Sequence, residues 1–162
     1  MIEITPAGPD DADAFVGLES RLFAEDGGVH DPHADVTWPE REGHDDFRQL
    51  LDDPGSIVLL AWADDRAVGM TAGYTSRPGS TRNPILSGVL RSMYVHPDHR
   101  RDGVAGRLVE AFLAWAEQQG CVEVFVDCYA ANGSARGLYE SHGFRPQSIS
   151  HVIRFPRTDP VG

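Results

Sequence analysis

The chain has 162 residues, 41% of them apolar and 24% charged, a length that implies one globular domain able to bury a core without staples. Its 25 acidic residues outweigh 14 basic ones, all of them arginine, giving a formal net charge of −11. That balance excludes general nucleic-acid binding, which needs a broad basic face, and is compatible with a cationic substrate or simply with solubility.

In chain order, residues 2–5 predict a short strand, and Pro6 and Pro9 punctuate the chain after it. Asp10 or Asp11 can cap a helix over about 10–24, where Phe15, Leu18 and Leu22 recur at helical spacing. The polar stretch Glu25–Glu40 has no period and reads as a loop long enough to serve a binding site. Within it, His30, His33 and Asp35 suggest a metal only weakly, because Pro and Ala interruptions fix no geometry, so no metal is expected. Trp38 reads either as an apolar lid over a substrate or as a core anchor. A second helical pattern covers 43–52 and stops at Pro54-Gly55. Strands come next at 56–63 and 67–76, paired as a hairpin, and a third at 85–95. Val104, Leu108, Ala111, Phe112 and Trp115 share one face of a helix that Gly120 ends. Residues 122–129 read as a buried strand. Asn132 opens a last helix that Gly143 closes, and one or two strands are expected between Phe144 and Phe155.

This order predicts a mixed α/β (α+β) fold: a central sheet of six to seven strands flanked by about four helices. Crossovers imply parallel pairing late in the sheet, and the hairpin implies antiparallel pairing early. Residues 1–156 form one domain and 157–162 a tail. Cys121 and Cys128 lack zinc-ligand spacing and read as two buried thiols in a reducing compartment. The N-terminus has no basic, apolar leader, and no run reaches the roughly 20 apolar residues of a membrane span, so a cytoplasmic protein without membrane contact is expected.

The stretch Leu90–Leu108 carries the strongest chemical signal. A strand ends at Val95, a basic turn comes after it, and a helix opens after Arg100-x-x-Gly103-x-Ala105. Free backbone N–H groups and the positive end of a helix dipole make this a seat for phosphate or pyrophosphate. The spacing is neither the Gly-x-Gly-x-x-Gly of a dinucleotide site nor a P-loop, and the lesser alternative is that Gly103 and Gly106 only allow close helix–sheet packing.

Downstream, Asn132-x-x-Ala135-x-x-Leu138-Tyr139-x-x-x-Gly143-Phe144 completes a pattern with this turn. Together they resemble the N-acetyltransferases of the GNAT superfamily. The resemblance implies acetyl-CoA as co-substrate, a primary-amine acceptor, and direct attack in a ternary complex. It places N–H groups from Arg101 through Gly103, Val104, Ala105 and Gly106 to Arg107 around the pyrophosphate. It implies that strands 85–95 and 122–128 splay apart, with the pantetheine arm pairing to backbone at Met93 and Val95 and held by Asn132. Arg100 and Arg136 are phosphate partners in this reading. Arg101 and Asp102 depart from the commoner Gly and Lys of that turn.

Tyr139 matches the position that often serves as general acid, and a phenol of pKa about 10 can protonate a leaving thiolate. Its other reading is a ring filling the helix face. Asp127 is the inner carboxylate of its strand, 12 residues before Tyr139, an offset at which some protein N-terminal acetyltransferases of the superfamily carry a Glu base. It reads equally as a partner of Arg91. Glu25 and Asp26, in the region that forms the acceptor wall in this superfamily, are the other acidic candidates. The acceptor favoured by charge is a small cationic amine. An amino acid or protein N-terminus, a non-catalytic acyl-CoA sensor and a dinucleotide enzyme are the rival readings, and a homodimer is left open.

Overall fold

In the computed structural model, which describes residues 1–157, the protein is built on one five-stranded sheet in the order β1-β2-β3-β4-β5. The strands are β1 (Ile2–Pro6), β2 (Ser56–Ala63), β3 (Arg66–Ser76), β4 (Ser87–Val95) and β5 (Glu123–Val126). The first three neighbouring pairs are antiparallel, and β4 pairs with β5 in parallel. Between β1 and β2 lie α1 (Ala12–Leu22), a π-turn (Phe23–Gly27), the single turn α2 (Gly28–His30) and α3 (Trp38–Asp52). The crossover helix α4 (Val104–Gln118) joins β4 to β5, and α5 (Gly133–Ser141) comes last.

Alternation along the strands sends apolar side chains to two layers. On one face, Phe15 and Leu18 of α1 and Phe47 of α3 pack on Val58, Leu60, Met70, Ala72 and Tyr94. On the other, Val104, Leu108, Val109 and Phe112 of α4 cover Leu59, Ala61, Val68, Leu90 and Val95, with Tyr139 of α5 at the margin. Each fully buried Phe or Leu contributes roughly 1.5–3 kcal/mol, so the two layers hold the sheet rigid between them.

One irregularity positions the site. The β3–β4 register pairs Ala72 with Ser92 and Gly73 with Leu90, leaving Arg91 as an extra residue in β4. The bulge resets the alternation. Arg91 reaches α1 and α3, and Ser92 also faces the α1 side, while Leu90 and Met93 face α4. Thr71 holds the bulge by donating its hydroxyl to the Ser92 carbonyl at 3.0 Å. Gly73 is required here, since a Cβ would lie 2.3 Å from both the Phe112 ring and the Val89 carbonyl oxygen.

The sheet has five strands, not the six to seven expected. Residues 145–157 form no strand, and Ile149, Val152, Ile153 and Phe155 are 70–80% exposed. Their β-propensity is real, but a strand needs an edge to pair with, and this segment lies against none. The predicted strand 122–129 shortens to Glu123–Val126 and is half-buried, because nothing pairs with its outer side among the described residues. The two thiols are free, but Cys121 is half-buried and Cys128 exposed, not buried as expected. The helix expected at 43–52 begins earlier, at Trp38, with Pro39 in its first turn, and the supposed loop before it is partly helical. The predicted tail falls outside the described residues from position 158 onward.

Candidate active site

β4 and β5 pair only from Ser87–Glu123 to Leu90–Val126. Beyond the bulge β4 continues to Val95 with no partner on that side among the described residues, so the two strands part and a slot opens in the sheet. Met93 and Val95 lie along it. The Val95 carbonyl accepts Arg100 Nε at 2.9 Å. At the slot's mouth a 3-10 turn, Pro97–His99, leads through Arg100, Arg101 and Asp102 to Gly103, which caps α4.

Arg101 and Gly103 both adopt the left-handed region, at φ 74° and 77°, which swings the chain tightly into the helix. Gly103 offers no side-chain cap, and among the described residues nothing beyond its own stretch of chain lies within 4 Å of where its Cβ would stand. The first-turn N–H groups of Val104, Ala105 and Gly106 precede any i−4 acceptor and are free for an anion. Arg107 does not belong to that set as expected: its N–H is bonded to the Gly103 carbonyl at 3.1 Å, and its guanidinium donates to the Ile2 carbonyl. Gly106 packs against the His142 ring, which a Cβ would meet at 3.2 Å.

Arg100 is not a free phosphate partner. Its Nη2 donates to Glu25 Oε2 at 2.7 Å, and its guanidinium lies 5.4 Å from the centre of the Tyr94 ring. Tyr94 donates its hydroxyl to the other Glu25 oxygen at 2.8 Å. Burial works to raise the Glu25 pKa, but the bonds from Arg100 and Tyr94 outweigh it and hold the carboxylate below its usual range. Glu25 therefore ties the π-turn to the anion seat and does not line the acceptor cavity. Arg136 bonds the Ala130 carbonyl at 3.2 Å and remains exposed.

Asn132 uses both side-chain groups. Its Oδ1 accepts the Ala135 N–H and caps α5, while Nδ2 donates to Asp26 at 3.0 Å. On α5, Tyr139 is 8% exposed, its ring edge-on to Phe144 at 5.6 Å. Burial, then the charges of Cys128 and Asp26, push its phenol well above the usual range, so it keeps its proton.

On the α1 side a cavity of about 530 Å³ adjoins Ser92 and Tyr129. Glu19, Asp26, Asp35 and Arg91 supply its charges, and Leu22, Phe23 and Trp38 its apolar wall. Trp38 stacks on Phe23 at 5.6 Å and acts as a wall of this cavity. Arg91 donates to both Asp46 oxygens at 2.9 and 2.8 Å and to Glu19 at 3.1 Å. The alternative pairing of Arg91 with Asp127 is therefore wrong. Asp127 lies one residue past the end of β5, exposed. His30 lies 5.1 Å from Tyr129, ring to ring, and Asp35 is bonded to Thr37 and Arg41, so the two serve the local fold. Sequence reasoning missed Glu19, Asp46, Ser92 and Tyr94. Glu19 carried a signal: it stands four residues after Phe15, on the buried stripe of α1.

A sheet that parts between parallel strands, with an anion-ready helix start at the mouth, defines an enzyme gripping a long phosphate-bearing co-substrate. The signature of the acetyltransferase (GNAT) family matches residues 23–144. The aminoglycoside N(6′)-acetyltransferase type 1 of Acinetobacter genomosp. 13 is 33% identical over 128 residues, covering 75% of this chain and 85% of the relative. The apo aminoglycoside 6′-N-acetyltransferase of Acinetobacter haemolyticus superposes with a TM-score of 0.69 at 25% identity, covering 98% and 99% of the two chains. The aminoglycoside acetyltransferase AAC(6′)-Iy, solved with the bisubstrate analogue CoA-S-monomethyl-acetylneamine, gives a TM-score of 0.76 at 20% identity, with 96% and 99% covered.

This chain belongs to the acetyltransferase (GNAT) family. It is an acetyl-CoA-dependent N-acetyltransferase. Its own geometry fits that co-substrate: the slot runs beside the end of β4, and the free first-turn N–H groups and the open space at Gly103 come in the turn and helix start directly after that strand. No helix among the described residues is long and apolar enough to cross a membrane.

Proposed function

We propose that the protein, as a single domain over residues 1–156, transfers the acetyl group of acetyl-CoA to a primary amine of a small cationic acceptor. The transfer is by direct attack within a ternary complex. The observation that carries the reading is the acidic cavity beside β4. Its lining carries the carboxylates Glu19, Asp26 and Asp35; Arg41 pairs with Asp35, and the one guanidinium within the lining, Arg91, is already paired with Asp46, which leaves Glu19 and Asp26 in excess. Such a surface favours a cation and disfavours a carboxylate-bearing amino acid. The relatives named for aminoglycosides, amino sugars with several amino groups, support the same class.

When bound, acetyl-CoA supplies an activated acyl carbon and a thiolate leaving group. Backbone at Met93 and Val95 lines the slot for its arm, the N–H groups from Arg101 to Gly106 receive its pyrophosphate, and the exposed Arg136 on α5 is a further phosphate partner. Tyr139 holds a proton at its Oη for the departing sulfur. The attacking amine must shed a proton, and Asp127, exposed past the end of β5, takes it up through water. Two copies of the chain associate through the exposed apolar arm Ile149–Phe155.

A thiol-release assay across amines grouped by charge and size tests the reading. Small polycations should give the highest kcat/KM. Turnover confined to peptide N-termini or anionic amino acids would refute it. Initial rates with both substrates varied should give intersecting lines, and parallel lines would exclude direct attack.

A further inference from the structure

We propose that Glu19 and Ser92 are the receptor for an ammonium group of the acceptor, a specificity-determining pair within the acidic cavity. The inference rests on the acetyltransferase reading above and names the residues that choose its substrate. Glu19 is 2% exposed, yet only Oε1 has a partner, Arg91 Nη2 at 3.1 Å. Its Oε2 is buried with none among the described residues. Ser92 is 9% exposed, and its Oγ is likewise buried with none. Both residues line the same cavity of about 530 Å³.

A buried carboxylate oxygen and a buried hydroxyl left unbonded are costly and uncommon in folded proteins. Holding Arg91 does not account for Glu19, because Asp46 already engages both terminal nitrogens of the guanidinium. Two carboxylates then share one cation, and the cluster carries one uncompensated negative charge. An ammonium brings one positive charge and three donors, matching the deficit in both charge and hydrogen bonds. The bulge in β4 creates the pair, since it turns Arg91 and Ser92 to the same face of the sheet.

The groups facing Glu19 are Arg91 on β4 and Asp46 on α3. Asp26 and Asp35 lie on the cavity wall, and Tyr74 on β3 stands in the field of Arg91. Burial raises the Glu19 pKa, Arg91 pulls it down and Asp46 raises it again, leaving it at about 7. A cation binds the ionised carboxylate, so affinity rises as pH passes upward through that value. Between pH 6 and pH 8 the gain is about tenfold, provided the ligand keeps its own charge.

Calorimetry with the aliphatic diamine cadaverine, whose ammonium groups stay charged over this range, tests the proposal on the free protein. The wild type should bind about tenfold more tightly at pH 8 than at pH 6. Glu19→Gln should bind about tenfold more weakly at pH 8 and lose the pH dependence. In turnover, Glu19→Gln should raise KM for cadaverine by a like factor with kcat within about twofold, a split that a purely structural ion pair would not produce. Absence of wild-type binding, or equal affinity and pH profile in Glu19→Gln, overturns it. Should Glu19→Gln fail to fold, Ser92→Ala (about threefold weaker binding expected) and the wild-type pH series decide it, and unchanged or pH-flat affinity overturns it. Glu19-dependent binding of cadaverine without acetylation of any amine would refute the acceptor reading while leaving this receptor standing.

Discussion

Tyr139 and Arg101 show how much one side chain decides. The Tyr139 ring is enclosed by apolar neighbours, and the charges of Cys128 and Asp26 add to burial in holding its proton. A phenol so held stays neutral and is a weak acid, so it gives up its proton only as full negative charge develops on the departing sulfur, and before that it serves as a hydrogen-bond donor. Tyr139→Phe keeps the ring and its contact with Phe144, so it should lower kcat at least about tenfold while leaving the calorimetric affinity for acetyl-CoA within about twofold. Turnover at the wild-type rate would remove the acid role. Arg101 is a different case, a non-glycine residue at φ 74° in the anion-binding turn. An L side chain in the left-handed region costs about 1 kcal/mol, and the commoner residue of that turn in the superfamily is Gly. Arg101→Gly should therefore raise Tm by roughly 2–4 °C in a thermal melt, and an unchanged or lowered Tm would show that the arginine side chain stabilises the turn.

At the scale of elements, the bulge between β3 and β4 does three things at once. It ends the pairing of β4 with β5 register by register, it turns Arg91 and Ser92 toward α1, and it presses Gly73 against Phe112. Gly73→Ala places a methyl group 2.3 Å from ring and carbonyl alike, and neither can withdraw because Phe112 is fully buried and Val89 is held in the ladder. We expect a loss of about 3 kcal/mol or more in urea unfolding, with any residual folded protein showing raised KM for the amine because Ser92 moves with the bulge. Wild-type stability would mean the strands part without the bulge. None of this was legible in the sequence, since a bulge is a register event between two strands and leaves no mark in the periodicity of either. By contrast, the helix starts at Gly103 and Asn132 were legible, because capping is chemistry within a few neighbouring residues. The ion cluster was not, because Glu19, Asp46 and Arg91 meet only after α1, α3 and β4 have packed.

Over the whole molecule, the hairpin and the helices flanking the sheet could be read from apolar spacing and turn residues, and the slot between parallel strands only from the family resemblance, while the extent of the sheet could not. The segment after α5 has strand-like composition in Ile149, Val152, Ile153 and Phe155, yet sequence cannot say whether an edge is available to it. In the monomer that segment stands exposed, tied near the cavity by Arg154 at 3.6 Å from Asp31, while no described residue pairs with the outer edge of β5. Four large apolar side chains held 70–80% in water each forgo roughly 1.5–3 kcal/mol relative to burial, a drive toward association that is set against the cost of immobilising two chains. A chain with net charge −11 resists indiscriminate clustering, so a closed dimer is the expected outcome rather than aggregation. Sedimentation velocity should give a dimer for the wild type and a monomer for the double variant Ile153→Ser, Phe155→Ser. Because both residues are exposed in the single chain, the variant should melt at the wild-type monomer's temperature, and a monomeric wild type at high micromolar concentration would show that the arm has no partner of its own kind.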